Sequence, residues 1–198
     1  MKHLLYVLKC YSTAASLLAL LLLNPGKIFS QGTSVGSLDY LNRCNGFKNI
    51  ALGSNAEAIP NYKLSFLDGD DQIDADSCLR FEYRDDRILT INNVANLVTV
   101  GLRTYKNKIV NIYLFFKRED GRELLKYFIE SYGKFTSKPG NFMYDWDTNA
   151  VKLALRFQID CDYGVAIFTS NSMENLLSQL KQKEKLNGEL SAVNTSSF

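Results

Sequence analysis

The sequence predicts an α+β fold in which an antiparallel sheet has helices packed on one face. Apolar and polar residues alternate over several short segments, which is typical of strands with one buried side. Turn-forming residues separate these segments at short intervals and favour antiparallel pairing. The segments 119–132 and 172–186 instead place their apolar residues on one stripe at helical spacing. We therefore expect one α+β domain over residues 37–188.

The first predicted elements are short. Ser37 can cap a helix over Leu38–Arg43, and Asn45-Gly46 suits the left-handed turn that ends a helix. The apolar segment Phe47–Leu52 predicts a first strand. Leu79–Tyr83 predicts the next one, because its apolar residues alternate with charged residues.

A strand pair and a helix follow in the middle of the chain. Residues 98–102 alternate between apolar and polar, and a turn then leads into Ile109–Phe116, which is apolar on both faces except at Asn111. Glu119–Tyr132 predicts a helix, since its apolar residues recur every three or four positions. Gly133 can end it in a left-handed conformation.

The carboxyl-terminal part repeats this order. Three strands are predicted there: Phe142–Trp146, Ala150–Gln158 and Tyr163–Thr169. Ser172 can cap a last helix, Asn187-Gly188 predicts its end, and residues 189–198 are expected to be a flexible tail. Two strand–turn–strand–helix units therefore follow each other. Gene duplication would explain them, and so would the same packing requirement met twice.

Residues 1–30 are a predicted signal peptide. Lys2 and Lys9 give a positive start, and the apolar run Ala14–Leu23 follows. Ser30 supplies the small residue after which we place the cleavage.

Residues 31–36 then form a small polar linker. An uncleaved anchor through residues 4–23 is the alternative, because about 20 apolar residues can span a bilayer. We therefore expect an exported protein, periplasmic or secreted, which meets a membrane only through this segment if it is not cleaved.

The composition excludes several classes of function. The only histidine is His3, so the exported body lacks the residue that Ser-His-Asp catalysis, Cys-His catalysis and histidine-ligated metals require. The 23 basic residues nearly balance the 21 acidic ones, which gives no basic patch for nucleic acid. Neither a phosphate-binding loop nor a dinucleotide fingerprint occurs. We expect no cofactor and no nucleic-acid partner.

Three cysteines remain after cleavage: Cys44, Cys78 and Cys161. Because this number is odd, at least one cysteine of a monomeric exported protein has no disulfide partner and stays a thiol. Their spacing matches no compact metal motif. One disulfide with a buried thiol, and three buried thiols, both stay open.

An acidic segment is a weak candidate for a metal site. Its five carboxylates are Asp68, Asp70, Asp71, Asp74 and Asp76. Carboxylates are good calcium ligands, but Ile73 and Leu79 occupy the positions where a calcium-binding loop needs glycine and glutamate. A solvated loop is the favoured interpretation.

The segment Asp145-Trp146-Asp147 places two carboxylates on one face of a strand. Glycoside hydrolysis uses two carboxylates in separate catalytic roles. Two acids on one strand face are common in ordinary strands, and the sequence gives no reason to assign the second catalytic role to any acid. We expect Trp146 to be a core or sheet-rim aromatic.

Short motifs resemble a loose group of small, uncharacterised exported bacterial proteins. They are Gly46-Phe47 before Leu52-Gly53, and Tyr132-Gly133 at a helix end before the strand of Trp146. This chain departs from the group at Ala58-Ile59-Pro60, where a helix usually follows the turn. The group has no established activity, so the resemblance implies export and transfers no functional residue.

We expect a non-catalytic binding or assembly module of the cell envelope, with an envelope protein or small ligand as partner. If both helices cover one face, the strand residues beneath them are Val98, Val100, Leu102, Val151, Leu153, Leu155 and Phe157. The opposite face then carries Arg103 and Arg156, and one register of the strand Ile109–Phe116 adds Tyr113. Aromatic residues mixed with arginine are enriched in interface hot spots. The alternative is an enzyme or calcium-dependent protein using the acids of 68–76 or 145–147.

Overall fold

The computed structural model describes residues 35–66, 78–157 and 160–195. The helices are α1 (Leu38–Cys44), α2 (Asp86–Leu89), α3 (Gly121–Tyr132) and α4 (Asn171–Thr195). The strands are β1 (Gly46–Phe47), β2 (Ile50–Ala51), β3 (Leu64–Phe66), β4 (Leu79–Tyr83), β5 (Thr90–Ile91), β6 (Ala95–Tyr105), β7 (Lys108–Lys117), β8 (Ser137–Gly140), β9 (Met143–Asp147), β10 (Val151–Phe157) and β11 (Tyr163–Ser170). The predicted leader and the aspartates of 68–76 lie outside the described residues.

The strands confirm the predicted α+β class with an antiparallel sheet. Eight of them pair in the order β3-β4-β6-β7-β11-β10-β9-β8, and β5 pairs with the start of β6. The predicted strand Phe47–Leu52 is instead the hairpin β1–β2. Its turn includes Lys48 at a φ of +51°, which interrupts an extended backbone.

One face of the sheet, the core face, packs under α3. The Phe128 ring lies 5.9 Å from that of Trp146 and 6.1 Å from that of Phe168. Trp146 is fully buried, as expected, and its Nε1 donates to the Gly133 carbonyl over 2.7 Å. Gly133 ends α3 at a φ of +81°, so the helix stop and the tryptophan are joined by one hydrogen bond.

The core face departs from the predicted alternation at the start of β6. Leu97 and Thr99 lie opposite the consecutive residues Phe116 and Phe115, which makes Val98 the extra residue of a β-bulge. Val98 is 47% exposed, whereas Leu97 is buried. The prediction that Val98 faces the core is therefore wrong, because the bulge reverses the alternation before Val100.

The last helix departs from its predicted place. Met173 and Leu177 of α4 pack with Cys78, Tyr105 and Val110, a cluster separate from the main core. Glu174 forms an ion pair with Arg103. Arg103 alternates along β6 with residues of the core face, so it lies on the other face of the sheet, which we call the second face. The amino-terminal turns of α4 therefore contact the second face of the sheet, and the expectation that both helices cover one face is wrong.

The predicted stop at Asn187-Gly188 is also wrong, because α4 runs on to Thr195. One glycine inside a helix costs only about 1 kcal/mol relative to alanine, which weakens a helix without breaking it. Residues 181–187 of α4 are all exposed. Within residues 171–187, the helix therefore contacts the sheet through its first turns.

Both predicted strand–turn–strand–helix units are present, as β6–β7–α3 and β10–β11–α4. In sequence, Val98-x-Val100-x-Leu102-Arg103 resembles Val151-x-Leu153-x-Leu155-Arg156, and Phe116 matches Phe168, but the strand pairings do not follow this correspondence. Leu102 lies opposite Ile112, but its counterpart Leu155 lies opposite Ala166, the counterpart of Leu114. This shift of two residues and the different faces of α3 and α4 favour similar packing over exact repetition.

All three cysteines of the described residues are thiols. Cys78 is buried, whereas Cys44 and Cys161 are exposed. Of the two arrangements left open by the sequence, neither matches in full, because no disulfide forms and only one thiol is buried.

Candidate functional site

The second face of the sheet carries three rows of neighbours that run across β6, β7, β11 and β10. The first row is Arg103, Asn111, Thr169 and Lys152. The second row is Gly101, Tyr113, Ile167 and Ala154. The third row is Thr99, Phe115, Val165 and Arg156. The second and third rows together are called the open face below.

An aromatic pair occupies the centre of the open face. The rings of Tyr113 and Phe115 lie 6.3 Å apart with an interplanar angle of 17°. Gly101 lies opposite them, and a methyl group there would make ordinary van der Waals contact, 3.5 Å from Tyr113 Cβ and 3.6 Å from Phe115 Cε2. Phe115 is 37% exposed, and Val165 and Ile167 beside it are half-buried. The centre is therefore apolar and accessible.

Arg156 borders this apolar centre as the third-row residue of β10. Its Nη2 donates to Oδ1 of Asp145 on β9, and its Nη1 donates to the Tyr144 carbonyl over 2.9 Å. Asp145 is buried and also accepts from Ser137 Oγ at 3.4 Å. The guanidinium is thus held in one orientation with its charge largely balanced.

Arg103 lies away from the open face, beneath the first turns of α4. Its Nη1 donates to Asn111 Oδ1 and to Glu174 Oε1, each over 2.8 Å, and its side chain is only 12% exposed. Asn111 in turn donates to Thr169 Oγ1 over 3.0 Å. Of the three predicted binding residues, the structure keeps Tyr113 and Arg156 on the accessible surface and places Arg103 in the attachment of α4.

A shallow cavity adjoins the open face. It has a volume of about 280 Å³ and is lined by Phe115, Arg156, Cys161, Tyr163, Gly164 and Val165. Gly164 is required here, because a methyl group on it would lie 2.4 Å from the Phe116 ring. Because Phe115 lines both surfaces, the open face continues into this depression at the start of β11.

A second cavity, near β2 and the end of β4, was not predicted from the sequence. It also measures about 280 Å³, and its walls are mainly apolar: Ile50, Ala51, Ala58, Ile59, Pro60 and Ile109. Asn49, Lys63 and Tyr83 line it together with Ser54 and Asn55. Nine of these eleven residues lie within 49–63, but they share no spacing pattern, and only the fold brings Tyr83 and Ile109 to them.

A charged cluster adjoins this cavity at Asp85. Lys63 Nζ and Arg87 Nη2 both donate to Asp85 Oδ2 over 2.8 Å, and Arg87 Nε donates to Oδ1 over 2.9 Å. These bonds, first those from Arg87 and then the one from Lys63, hold the pKa of the Asp85 carboxyl well below its usual range. The bond to Asp85 also raises the pKa of Lys63, which keeps its ammonium charged.

Lys48 completes the cluster on the side of α2. Its Nζ donates to the carbonyls of Arg87, Ile88 and Thr90 over 3.0, 3.2 and 2.7 Å. Burial lowers the pKa of Lys48, and the nearby Asp85 partly offsets this. Three cations thus lie around one carboxylate.

The acids of 145–147 lie on the same face of β9, as predicted from their spacing. Asp145 is bound to Arg156, and Asp147 lies 4.0 Å from Lys152 Nζ, so each carboxylate has its own basic neighbour. Within residues 35–66, 78–157 and 160–195, no group of three or more acidic or cysteine side chains could hold a metal ion. In the same part of the chain, no helix combines the length and apolar character that crossing a membrane requires.

Comparison with protein-family models, with curated proteins and with solved structures gave no match to this chain.

Proposed function

We propose that this protein is exported and acts as a non-catalytic binding or assembly module of the cell envelope. The observation that carries the proposal is the open face, where Tyr113 and Phe115 stack beside Val165 and Ile167. Aromatic residues next to an oriented arginine, here Arg156, are the composition of interface hot spots. The leader at 1–30 supports export.

A protein partner fits this surface better than a small molecule. Small ligands bind in concave sites that enclose most of their surface, whereas the centre of the open face is a broad sheet surface with half-buried side chains. Arg156 is already oriented by Asp145, so a partner would not need to order it. The proposed partner is therefore another envelope protein that packs against the second and third rows.

Photo-crosslinking in exporting cells tests this proposal. A photoreactive amino acid at Phe115 should give one adduct of defined size, and the same amino acid at Lys126, exposed on α3, should not. Adding Ile167→Asp, which places a charge beside Tyr113, should abolish the adduct. Equal adducts at both positions, or an adduct that survives Ile167→Asp, would contradict a specific site on the open face.

A further inference from the structure

The cavity between β2 and the end of β4 is lined on one side by three hydrogen-bond donors. The Lys63 ammonium uses one proton for Asp85. Asn49 Nδ2 donates to the Tyr83 hydroxyl over 3.5 Å, a long and weak contact. All three side chains line the same space. Lys63 and Asn49 therefore retain donor capacity toward the cavity.

Tyr83 adds an unusual feature. Tyr83 is 3% exposed, and in the hydrogen bond that joins its hydroxyl to Asn49 the oxygen accepts, so its proton is not used there. A buried hydroxyl without an acceptor costs about 1–3 kcal/mol, so native proteins rarely keep one without a reason. An acceptor atom placed in the cavity would satisfy it.

The wall of the cavity is already fixed before any ligand binds. Gly53 N donates to the Ile109 carbonyl over 2.7 Å, and Ile109 N donates to the Ser54 carbonyl over 3.0 Å. Arg84 N donates to the Lys63 carbonyl over 2.7 Å. These backbone bonds attach the loop that follows β2 to β7, and Lys63 to the end of β4, so binding would cost little ordering entropy.

The charged side chain that lines the cavity is a cation, Lys63, whose ammonium can pair with an anion. Lys48 and Arg87 add positive charge beside Asp85 in the adjoining depression. Six of the eight remaining lining residues are apolar and suit a short hydrocarbon tail, and the other two are Ser54 and Asn55.

We propose that this cavity binds a small carboxylate with an apolar tail. The carboxylate oxygens accept from Lys63 Nζ, Asn49 Nδ2 and the Tyr83 hydroxyl, and the tail packs against Ile50, Ile59 and Ile109. This site is separate from the open face and does not depend on the function proposed for that face.

Calorimetric titration of the full chain with hexanoate tests the site. Hexanoate should bind saturably, whereas acetate, which lacks the tail, and 1-hexanol, which lacks the charge, should each bind at least about tenfold more weakly. Equal binding of hexanol would overturn the proposal, because the donors would then contribute nothing. Absence of saturable hexanoate binding would overturn it as well.

Tyr83→Phe separates a ligand-binding role from a structural one. It removes only the hydroxyl, so hexanoate affinity should fall about fivefold or more, while the melting temperature of the ligand-free protein stays the same or rises. Tyr144→Phe, on β9, is the matched control and should leave affinity unchanged. Unchanged affinity in Tyr83→Phe, or a fall in its ligand-free melting temperature, would overturn the assignment of the hydroxyl to a ligand.

Discussion

Asp85 is the residue whose charge is most tightly held in the described structure. Four donors approach its carboxylate: Lys63 Nζ and the backbone N, Nε and Nη2 of Arg87. The backbone contact caps α2, and the side-chain contacts join that helix to the turn before β3. Because its pKa lies below the usual range, the ionised carboxylate stabilises the folded state.

Asp85→Asn should therefore lower stability at neutral pH and have less effect in acid. An unfolded aspartate titrates near about pH 4, and the folded pKa is lower. The stabilisation is thus fully present above the unfolded pKa and is lost as pH falls through the folded one. Urea midpoints of wild type and variant at about pH 7 and about pH 3 measure this.

Asp86→Asn is the control for this prediction, since Asp86 is the exposed neighbour. Its effect at neutral pH should be smaller than that of Asp85→Asn. A difference between wild type and Asp85→Asn that stays constant down to about pH 3 would show that geometry, and not charge, explains the effect of Asp85.

At the scale of elements, the attachment of α4 is the least expected part of the fold. No linker separates Ser170, the last residue of β11, from Asn171, the first of α4. The helix therefore starts directly at the end of an inner strand, and its first turns place Glu174 and Leu177 against the second face. Arg103 joins α4 to Asn111 of β7, which makes this contact polar as well as apolar.

Leu177→Ala should loosen α4 and expose Cys78. Leu177 is 2% exposed and packs on Cys78 and Val110, so its truncation should cost about 2–4 kcal/mol. Alkylation of the folded protein should label Cys44 and Cys161 quickly and Cys78 slowly, and the variant should speed the slow phase.

Leu176→Ala is the matched control for this prediction, because Leu176 is 42% exposed on the neighbouring position of α4. It should change neither stability nor the slow phase appreciably. If both variants accelerate labelling of Cys78 equally, the packing of Leu177 does not protect the thiol.

The sequence predicts the helices and strands better than it predicts which of them pack together. Strands such as β10 follow from strict alternation, and α3 follows from its apolar stripe and Gly133. Val98 was misplaced because a bulge shifts the alternation without leaving a mark in the composition. The face of α4 could not be predicted either, since its apolar stripe is the same whichever side of the sheet it covers.

For the candidate sites of the whole molecule too, the sequence predicts local patterns but not long-range contacts. Alternation places Arg156 on the face opposite the core, whereas Tyr113 lies in a strand that is apolar on both faces and reaches that face in only one of its two registers. It could not show that Glu174 would cover Arg103, because that contact joins residues 71 positions apart. The cavity at Tyr83 likewise forms only where Tyr83 and Ile109 meet residues 49–63, which is why only the structure revealed it.

The two faces of the sheet should differ sharply in what they contribute to stability. Leu114 and Tyr113 are adjacent in β7 but point to opposite faces, and Leu114 is fully buried. Leu114→Ala should cost about 3–4 kcal/mol, and Tyr113→Ala about 1 kcal/mol or less, in urea unfolding followed by circular dichroism. The proposed function needs this difference, because a docking surface must be available in the folded protein without being required for folding. A comparable loss in Tyr113→Ala would mean that the second face is covered within the folded chain, and the open face would then have no place for a partner.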